Sequence, residues 1–357
     1  MVSPPTVSPT AAAREPAGRI ESLRRDLGAG LTVMGHHYQN DRIIAHCDIQ
    51  GDSLALAKQV PGIASDHIVL CGVFFMGESA ALMARPGQRV YLPEPEADCT
   101  MARMITGELL ESVLLAIGKT GRKPVPLAYV NTSLEVKAMV GRHGGAVCTS
   151  ANAGKMLDWA LRQGRGALFV PDKNLGRNVA RDLGLPDSAM HILDIRQGGR
   201  AVDAQAAAKA ELLLWPGLCS IHARFNTAQV EAARAAHPGC KVVAHPECAP
   251  EVVARADATG STAFIIDYVR SLPEASAVAV GTEINQVLRL AAGQAGRQVK
   301  VFPLCPSACC NMASVTPSKL ERLLLEIRDG TARPVEIPQN AVEPARLTLT
   351  RMLEVCA

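Results

Sequence analysis

The sequence predicts an α/β protein of three related three-layer αβα domains, each built on a small parallel sheet, gathered around one central site. Two observations carry that prediction. Short apolar strands alternate with helical segments along the chain, the pattern of βαβ units and parallel sheets. The same order of strand, hydroxyl cluster, strand and cysteine also occurs three times, and a repeat of that kind sets the architecture.

Each third opens on an apolar strand that ends in polar residues. These are Leu31-Thr32-Val33-Met34 before Gly35-His36-His37-Tyr38, Val125-Pro126-Leu127-Ala128 before Tyr129-Val130-Asn131, and Lys241-Val242-Val243-Ala244 before His245-Pro246-Glu247. Downstream, Gly51-Asp52-Ser53, Cys148-Thr149-Ser150 and Gly260-Ser261-Thr262 each stand where a helical stretch begins. Ser, Thr and Asp cap helices in any protein, so one such cluster carries little weight. Recurrence at matched places points to groups that hold an anion beside the free amides of a helix start.

A second strand follows in each third: Val73-Phe74-Phe75-Met76 before Gly77-Glu78, Leu168-Phe169-Val170 before Pro171-Asp172-Lys173-Asn174, and Ala277-Val278-Ala279-Val280 before Gly281-Thr282-Glu283. Residues 79–84 and 284–290 read as helical. Each third closes on cysteine, at Cys99, at Cys219 and at the group Cys305, Cys309 and Cys310. In parallel α/β units the ligand-binding groups gather at the carboxyl ends of the strands. Three such units would therefore turn three polar strand ends and three thiols towards one cavity. The divisions that follow are a disordered leader over 1–15, a first domain over 16–102 completed by C-terminal helices within 310–357, a second over 103–222 and a third over 223–309. The spacing of Leu320, Leu323, Leu324 and Ile327 predicts a helix that returns to close the first domain.

With 357 residues, 48% of them hydrophobic, the chain can fill several cores, and 3% aromatic content means that Ala, Val, Leu and Ile fill them. A net charge of +3 with no basic block disfavours nucleic acid as a partner. No apolar run approaches the roughly 20 residues that cross a bilayer. Residues 1–15, rich in Pro, Ala, Thr and Ser, lack the apolar core of a signal peptide, and the expected compartment is the cytoplasm.

Eleven cysteines are then many. Cytosolic thiols stay reduced, so clustered ones are read as metal ligands or catalytic groups. Cys71, in an apolar run, and Cys47, Cys240 and Cys356, without local signals, are read as inert packing. Three thiols spread over three units suit an iron–sulfur cluster better than zinc, whose structural sites close with four ligands often paired in short knuckles. A cluster with three protein thiolates leaves one iron open, and that iron can act as a Lewis acid.

At this point the motifs resemble those of the quinolinate synthase family. They are Gly35-His36-His37-Tyr38-Gln39, Gly51-Asp52-Ser53, Glu78-Ser79-Ala80, Ala97-Asp98-Cys99-Thr100-Met101-Ala102 and Tyr129-Val130-Asn131-Thr132-Ser133, then Cys148-Thr149-Ser150-Ala151-Asn152 and Pro171-Asp172-Lys173-Asn174. Trp215-Pro216-Gly217-Leu218-Cys219, His245-Pro246-Glu247-Cys248, Gly260-Ser261-Thr262 and Gly281-Thr282-Glu283 complete the series, in order, from about residue 20 to about 350. The resemblance implies three α/β domains in a pseudo-threefold triangle around a [4Fe–4S] cluster. It implies a transferase of NAD biosynthesis that condenses iminoaspartate with dihydroxyacetone phosphate to quinolinate, losing phosphate and two waters. It also implies a functional link to an enzyme that supplies iminoaspartate, and action as a monomer or homodimer.

Carried onto this chain, the resemblance makes Cys99 and Cys219 two of the cluster ligands. For the third, Cys309 in Cys309-Cys310-Asn311-Met312 fits the register best, and Cys305 in Cys305-Pro306-Ser307 is the alternative. Cys305 and Cys310 are then either redox-sensitive partners of Cys309 or packing. His36, Tyr129, Asn131 and His245 fall on substrate contacts, and Ser53, Ser150 and Thr262 on hydroxyls that hold carboxylate or phosphate. Tyr38, His222 and Glu247 are the catalytic set: Glu247 as general base, Tyr38 exchanging a proton at the triose carbonyl. His37 faces away from His36, because neighbours on an extended segment point to opposite sides. Lys173 is a candidate phosphate contact, while His67, His143, His191 and His237 are structural. An aconitase-type hydro-lyase uses a similar cluster, and a non-catalytic iron–sulfur sensor also holds one. The repeat and the His245-Pro246-Glu247-Cys248 motif weigh against the first, the strand-end acid–base groups against the second.

Overall fold

The computed structural model describes residues 11–357, with side chains from residue 16 onward. The first ten residues of the expected leader lie outside the described residues, and Ala11–Leu27 is helical. Three parallel sheets follow in sequence. The first holds β1 (Leu31–His36), β2 (Ile49–Gly51), β3 (His67–Cys71) and β4 (Arg89–Tyr91), in the spatial order β2-β1-β3-β4. The second holds β5 (Val125–Tyr129), β6 (Ala146–Cys148), β7 (Ala167–Val170), β8 (Met190–Ile192) and β9 (Leu212–Leu214), ordered β6-β5-β7-β9-β8. The third holds β10 (Lys241–Ala244), β11 (Ala258–Thr259), β12 (Ala277–Gly281) and β13 (Lys300–Pro303), ordered β11-β10-β12-β13. Without the edge strand β8, all three sheets share one order, so the repeat seen in the residues is a repeat of topology.

Helices cover both faces, and β5, β7 and β9 are buried along their whole lengths. Parallel sheets demand that, which is why these strands read as unbroken apolar runs. The cores are aliphatic, with Val69, Leu127, Leu213 and Val243 fully buried.

Three expectations are corrected. Residues 11–15, expected to belong to a disordered leader, are helical within Ala11–Leu27. Residues Val73-Phe74-Phe75-Met76 are not a strand: β3 ends at Cys71, Val73 precedes the first turn of a helix, and Phe74–Met83 is helical. The run from Ile68 to Met76 is apolar almost throughout, so periodicity could not separate a buried strand from the buried helix behind it. The C-terminal helices also do not both complete the first domain. Pro317–Arg328 does, packing on Ala11–Leu27 with Leu320, Leu323, Leu324 and Ile327 turned inward. Gln339–Cys356 instead packs on the helix Leu134–Arg142 and on β6 of the second sheet. Its buried stripe of Ala341, Ala345, Thr348, Leu349 and Met352 meets small residues there, and Arg351 donates to Gly145 O at 2.6 Å.

Side-chain clamps join the units in one rotational sense. In each unit the helix after the third strand reaches the loop beyond the first strand of the next unit. Glu78, on Phe74–Met83, accepts from Leu134 N at 2.9 Å. On Lys173–Asp182, Asn174 donates to Glu247 O at 3.3 Å, and Asn178 to Pro246 O at 2.8 Å and Cys248 O at 2.9 Å. On Ile284–Gln294, Asn285 donates to Tyr38 O at 3.3 Å, and Arg289 to His37 O at 2.9 Å and Gln39 O at 2.6 Å. The ring closes after three steps, as a head-to-tail arrangement with threefold repetition must.

A Cβ at Gly141 would lie 1.9 Å from Pro344 O, where the last helix crosses Leu134–Arg142. Gly141→Ala is therefore expected to lower stability by about 1–3 kcal/mol through overpacking. Denaturant unfolding measures this, and an unchanged midpoint would contradict the described packing of the last helix.

Candidate active site

The strand ends of all three sheets border one cleft of about 700 Å³. The first unit supplies His36 and Tyr38 after β1, Ser53 after β2 and Cys99 after β4. The second supplies Tyr129 at the end of β5, Asn131 beyond it, Ser150 after β6, and Cys219 and His222 after β9. The third supplies His245 and Glu247 after β10, Thr262 after β11 and Cys309 after β13. Apart from Lys173, every site residue expected from the sequence thus lines the same space. His37 lies elsewhere, beside Gln50 and Arg289, and Lys173 is not among the lining residues. Cys305 packs against the core of the third unit and Cys310 is exposed, so of the three late thiols only Cys309 reaches the cleft.

Each of these thiols sits in an apolar surrounding. Burial pushes Cys99 up to about 12, and Cys309 nearby adds to the shift. Burial, with Glu247 and Cys99 in reach, drives Cys219 well above the usual thiol range, and burial raises Cys309. Neither Lys nor Arg lines the cleft among the described residues. Three thiols in such a place ionise only against a positively charged centre, so the donor set fits a thiolate-held metal centre. Cys219 is fixed further by Asp172, whose Oδ1 accepts the amides of Asn174 and Leu175 and whose Oδ2 accepts Cys219 N at 3.1 Å.

Two histidines are held alike. Tyr38 N donates to His36 Nδ1 at 3.1 Å, and Glu247 N donates to His245 Nδ1 at 3.3 Å. With Nδ1 an acceptor, each neutral ring carries its hydrogen on Nε2. Burial keeps both rings neutral, lowering each to about 3. They are therefore uncharged donors.

His222 differs. Its Nδ1 lies 2.8 Å from Glu247 Oε2, its Nε2 lies 3.3 Å from Thr282 Oγ1, and its ring stacks on His245 with centroids 4.4 Å apart. Burial opposes ionisation of Glu247, yet His245, His222 and hydrogen bonds from His222 and Tyr129 hold the carboxyl below the usual range. Tyr38 OH lies 3.0 Å from Thr282 Oγ1 and 3.4 Å from Thr262 Oγ1. Ligand atoms of Cys219, His222 and Glu247 lie within 4.8 Å of one another, but both His222 nitrogens already have partners.

The hydroxyl clusters are not equivalent. Asp52 Oδ1 accepts from Leu54 N and Ala55 N, and Ser261 Oγ accepts from Phe264 N, so two of the three helix starts carry a side-chain cap. The helix Ala153–Arg162 has no such cap, because Asn152 Oδ1 turns back to Thr149 N at 2.7 Å. The expectation of three alike anion sites narrows to the open amides beside Ser150. Thr282 was missed as a site residue. Its signal was available, since Gly281-Thr282-Glu283 ends a strand as the other site motifs do.

Residues 18–354 match the family described as Quinolinate synthetase A protein. The chain belongs to that family. It is 40% identical to the quinolinate synthase of Herpetosiphon aurantiacus over 345 residues, covering 94% of this chain and 92% of the relative. It is 38% identical to that of Acidobacterium capsulatum over 343 residues, with 94% and 92% covered. It is 37% identical to that of Bacillus subtilis over 345 residues, again with 94% and 92% covered. The family match spans nearly the whole chain, as the resemblance read from short motifs in order required. No helix among the described residues is long and apolar enough to cross a membrane.

In metal-free protein near pH 8, iodoacetamide is expected to modify exposed Cys310 at least ~10-fold faster than Cys99, because only a thiolate that the reagent can reach is attacked. Peptide mass spectrometry separates the two. Equal rates would contradict the raised thiol pKa of half-buried Cys99.

Proposed function

We propose that the chain condenses iminoaspartate with dihydroxyacetone phosphate to give quinolinate, phosphate and two waters, a transferase reaction of NAD biosynthesis in the cytoplasm. The observation that carries this reading is the meeting of three thiols and the acid–base groups of three units in one cleft that, among the described residues, no Lys or Arg lines. Membership of the family supports it. Cys99, Cys219 and Cys309 would hold a [4Fe–4S] cluster, which when bound supplies one iron free of protein ligands as a Lewis acid towards a substrate hydroxyl.

The substrates bring two carboxylates and a phosphate. The donors that meet them are neutral: Nε2–H of His36 and His245, the Asn131 amide, the hydroxyls of Ser53, Ser150 and Thr262, and the open amides beside Ser150. Neutral donors bind anions without quenching the charges that the chemistry uses. Glu247, ionised and with Oε2 engaged by His222, accepts at Oε1 the proton removed beside the imine, which yields an enamine nucleophile. His222 holds that carboxylate in place, and Tyr38 exchanges a proton at the triose oxygens. The reading includes an enzyme that supplies iminoaspartate, an unstable substrate.

Protein purified without oxygen is expected to form quinolinate from dihydroxyacetone phosphate and freshly generated iminoaspartate. Product with no dependence on iron, or iron with no product, would overturn the reading. Cys309→Ala should lose most of the bound iron while Cys305→Ala keeps it; the reverse pattern would transfer the third ligand to Cys305. Glu247→Gln should retain its iron and lose about 10²–10⁴-fold in kcat, the range for a general base. Near-wild-type turnover would remove Glu247 from that role.

A further inference from the structure

A second crevice, of about 1260 Å³, lies where β5, β7 and β9 begin, at the edge of the second sheet opposite the cleft. Arg122, Lys123, Arg165 and Lys209 line it, and Glu211 is the one acidic lining residue among the described residues. Four cations against one carboxylate leave three positive charges in excess. None of these residues has a part in the reading of the cleft.

The helices Gly107–Gly118, Ala153–Arg162 and Ala204–Lys209 end at this edge, and free carbonyls at helix ends favour cations in any protein. That accounts for Arg122 alone, whose Nε donates to Arg165 O at 3.1 Å and whose Nη1 donates to Ala207 O. The side chains of Lys123, Arg165 and Lys209 have no hydrogen bond or ion pair among the described residues. The floor beneath them is fixed. Val125 N donates to Gly166 O at 2.8 Å and Ala167 N to Glu211 O at 2.9 Å, so the ladder of the sheet runs on into the crevice. A Cβ at Gly166 would lie 1.9 Å from Nη2 of Arg122, and the residue has φ +72°, so glycine is what lets the guanidinium lie against this backbone.

We propose that this crevice binds a small molecule through two linked phosphates. Arg122 is half-buried and held by two carbonyls, and three of its five N–H groups have no protein partner among the described residues. A fixed planar fork of that kind matches phosphate oxygens, and the lysines add point charges around it. A single phosphate ester carries about two negative charges near pH 7 and a terminal diphosphate about three, the number that the crevice leaves unbalanced. Leu161 and Ala208 add apolar lining, which suits a nucleoside joined to the diphosphate.

Titration calorimetry of anaerobically purified, iron-loaded protein at low salt tests this with three probes: ADP, inorganic pyrophosphate and inorganic phosphate. ADP or pyrophosphate is expected to occupy one site per chain, with phosphate at least ~10-fold weaker. Arg165 and Lys209 are exposed, so the Arg165→Ala/Lys209→Ala double variant keeps its fold, and it is expected to bind the diphosphate at least ~10-fold more weakly than wild type. Lys58→Ala, an exposed cation of the first unit, should bind as wild type does. Pyrophosphate as tight as ADP assigns the site to the diphosphate itself, and tighter ADP adds the nucleoside. Absence of binding by both, phosphate as tight as either, or equal affinity in the double variant and wild type would overturn the inference.

Discussion

The site depends on the clamps that tie each unit to the next. Most of them run from a side chain to backbone: Asn174 to Glu247 O, Asn285 to Tyr38 O, Arg289 to His37 O and Gln39 O. Gripping a loop by its backbone leaves its side chains free to face the cleft. It also ties loop position to the neighbouring unit, so no domain holds its own part of the site unaided. Loss of one clamp strands buried backbone carbonyls, at a cost of about 1–3 kcal/mol each. The first unit clamps in the opposite polarity, with Glu78 accepting from Leu134 N, while within the second unit the wholly buried Lys137 donates to Thr132 O. Burial lowers that lysine to about 8, and Glu78 works against the shift.

Around this frame the chemistry divides by residue type. Thiols arrive from the segments after the last-paired strands, β4, β9 and β13, while imidazoles, phenols and the carboxylate arrive from the segments near the first strands, His222 excepted. The same turn, with the amide two residues on donating to a histidine Nδ1, recurs after β1 and β10 and gives His36 and His245 the same tautomer. Repetition thus supplies a common scaffold. Departures from it supply function: Tyr38 in one unit stands where Glu247 stands in another.

Much of this could be read from the residues. Strand ends and terminal cysteines were legible because a parallel sheet places its polar groups at one edge, so position along the chain gives position in space. Val73–Met76 was not, because a fully buried helix behind a fully buried strand carries no period to separate them. The docking of the last helix was hidden as well, since its partner is a small surface around Gly141 that sequence spacing does not mark. The choice among Cys305, Cys309 and Cys310 needed the backbone: Cys309 ends the turn whose amide reaches Glu283 Oε1 at 3.4 Å, while Cys310 begins the next helix and is exposed. The three hydroxyl clusters looked alike, and only the geometry of Asp52, Ser261 and Asn152 separates capped helix starts from the open one.

The central claim is that thiols from three units share one metal centre. Anomalous diffraction at the iron edge, from crystals grown without oxygen, tests it most directly. The account predicts iron density bounded by Cys99, Cys219 and Cys309, with His222 still bonded to Glu247 and Thr282. A single metal atom bound by Cys219, His222 and Glu247, with Cys99 and Cys309 free, would contradict it.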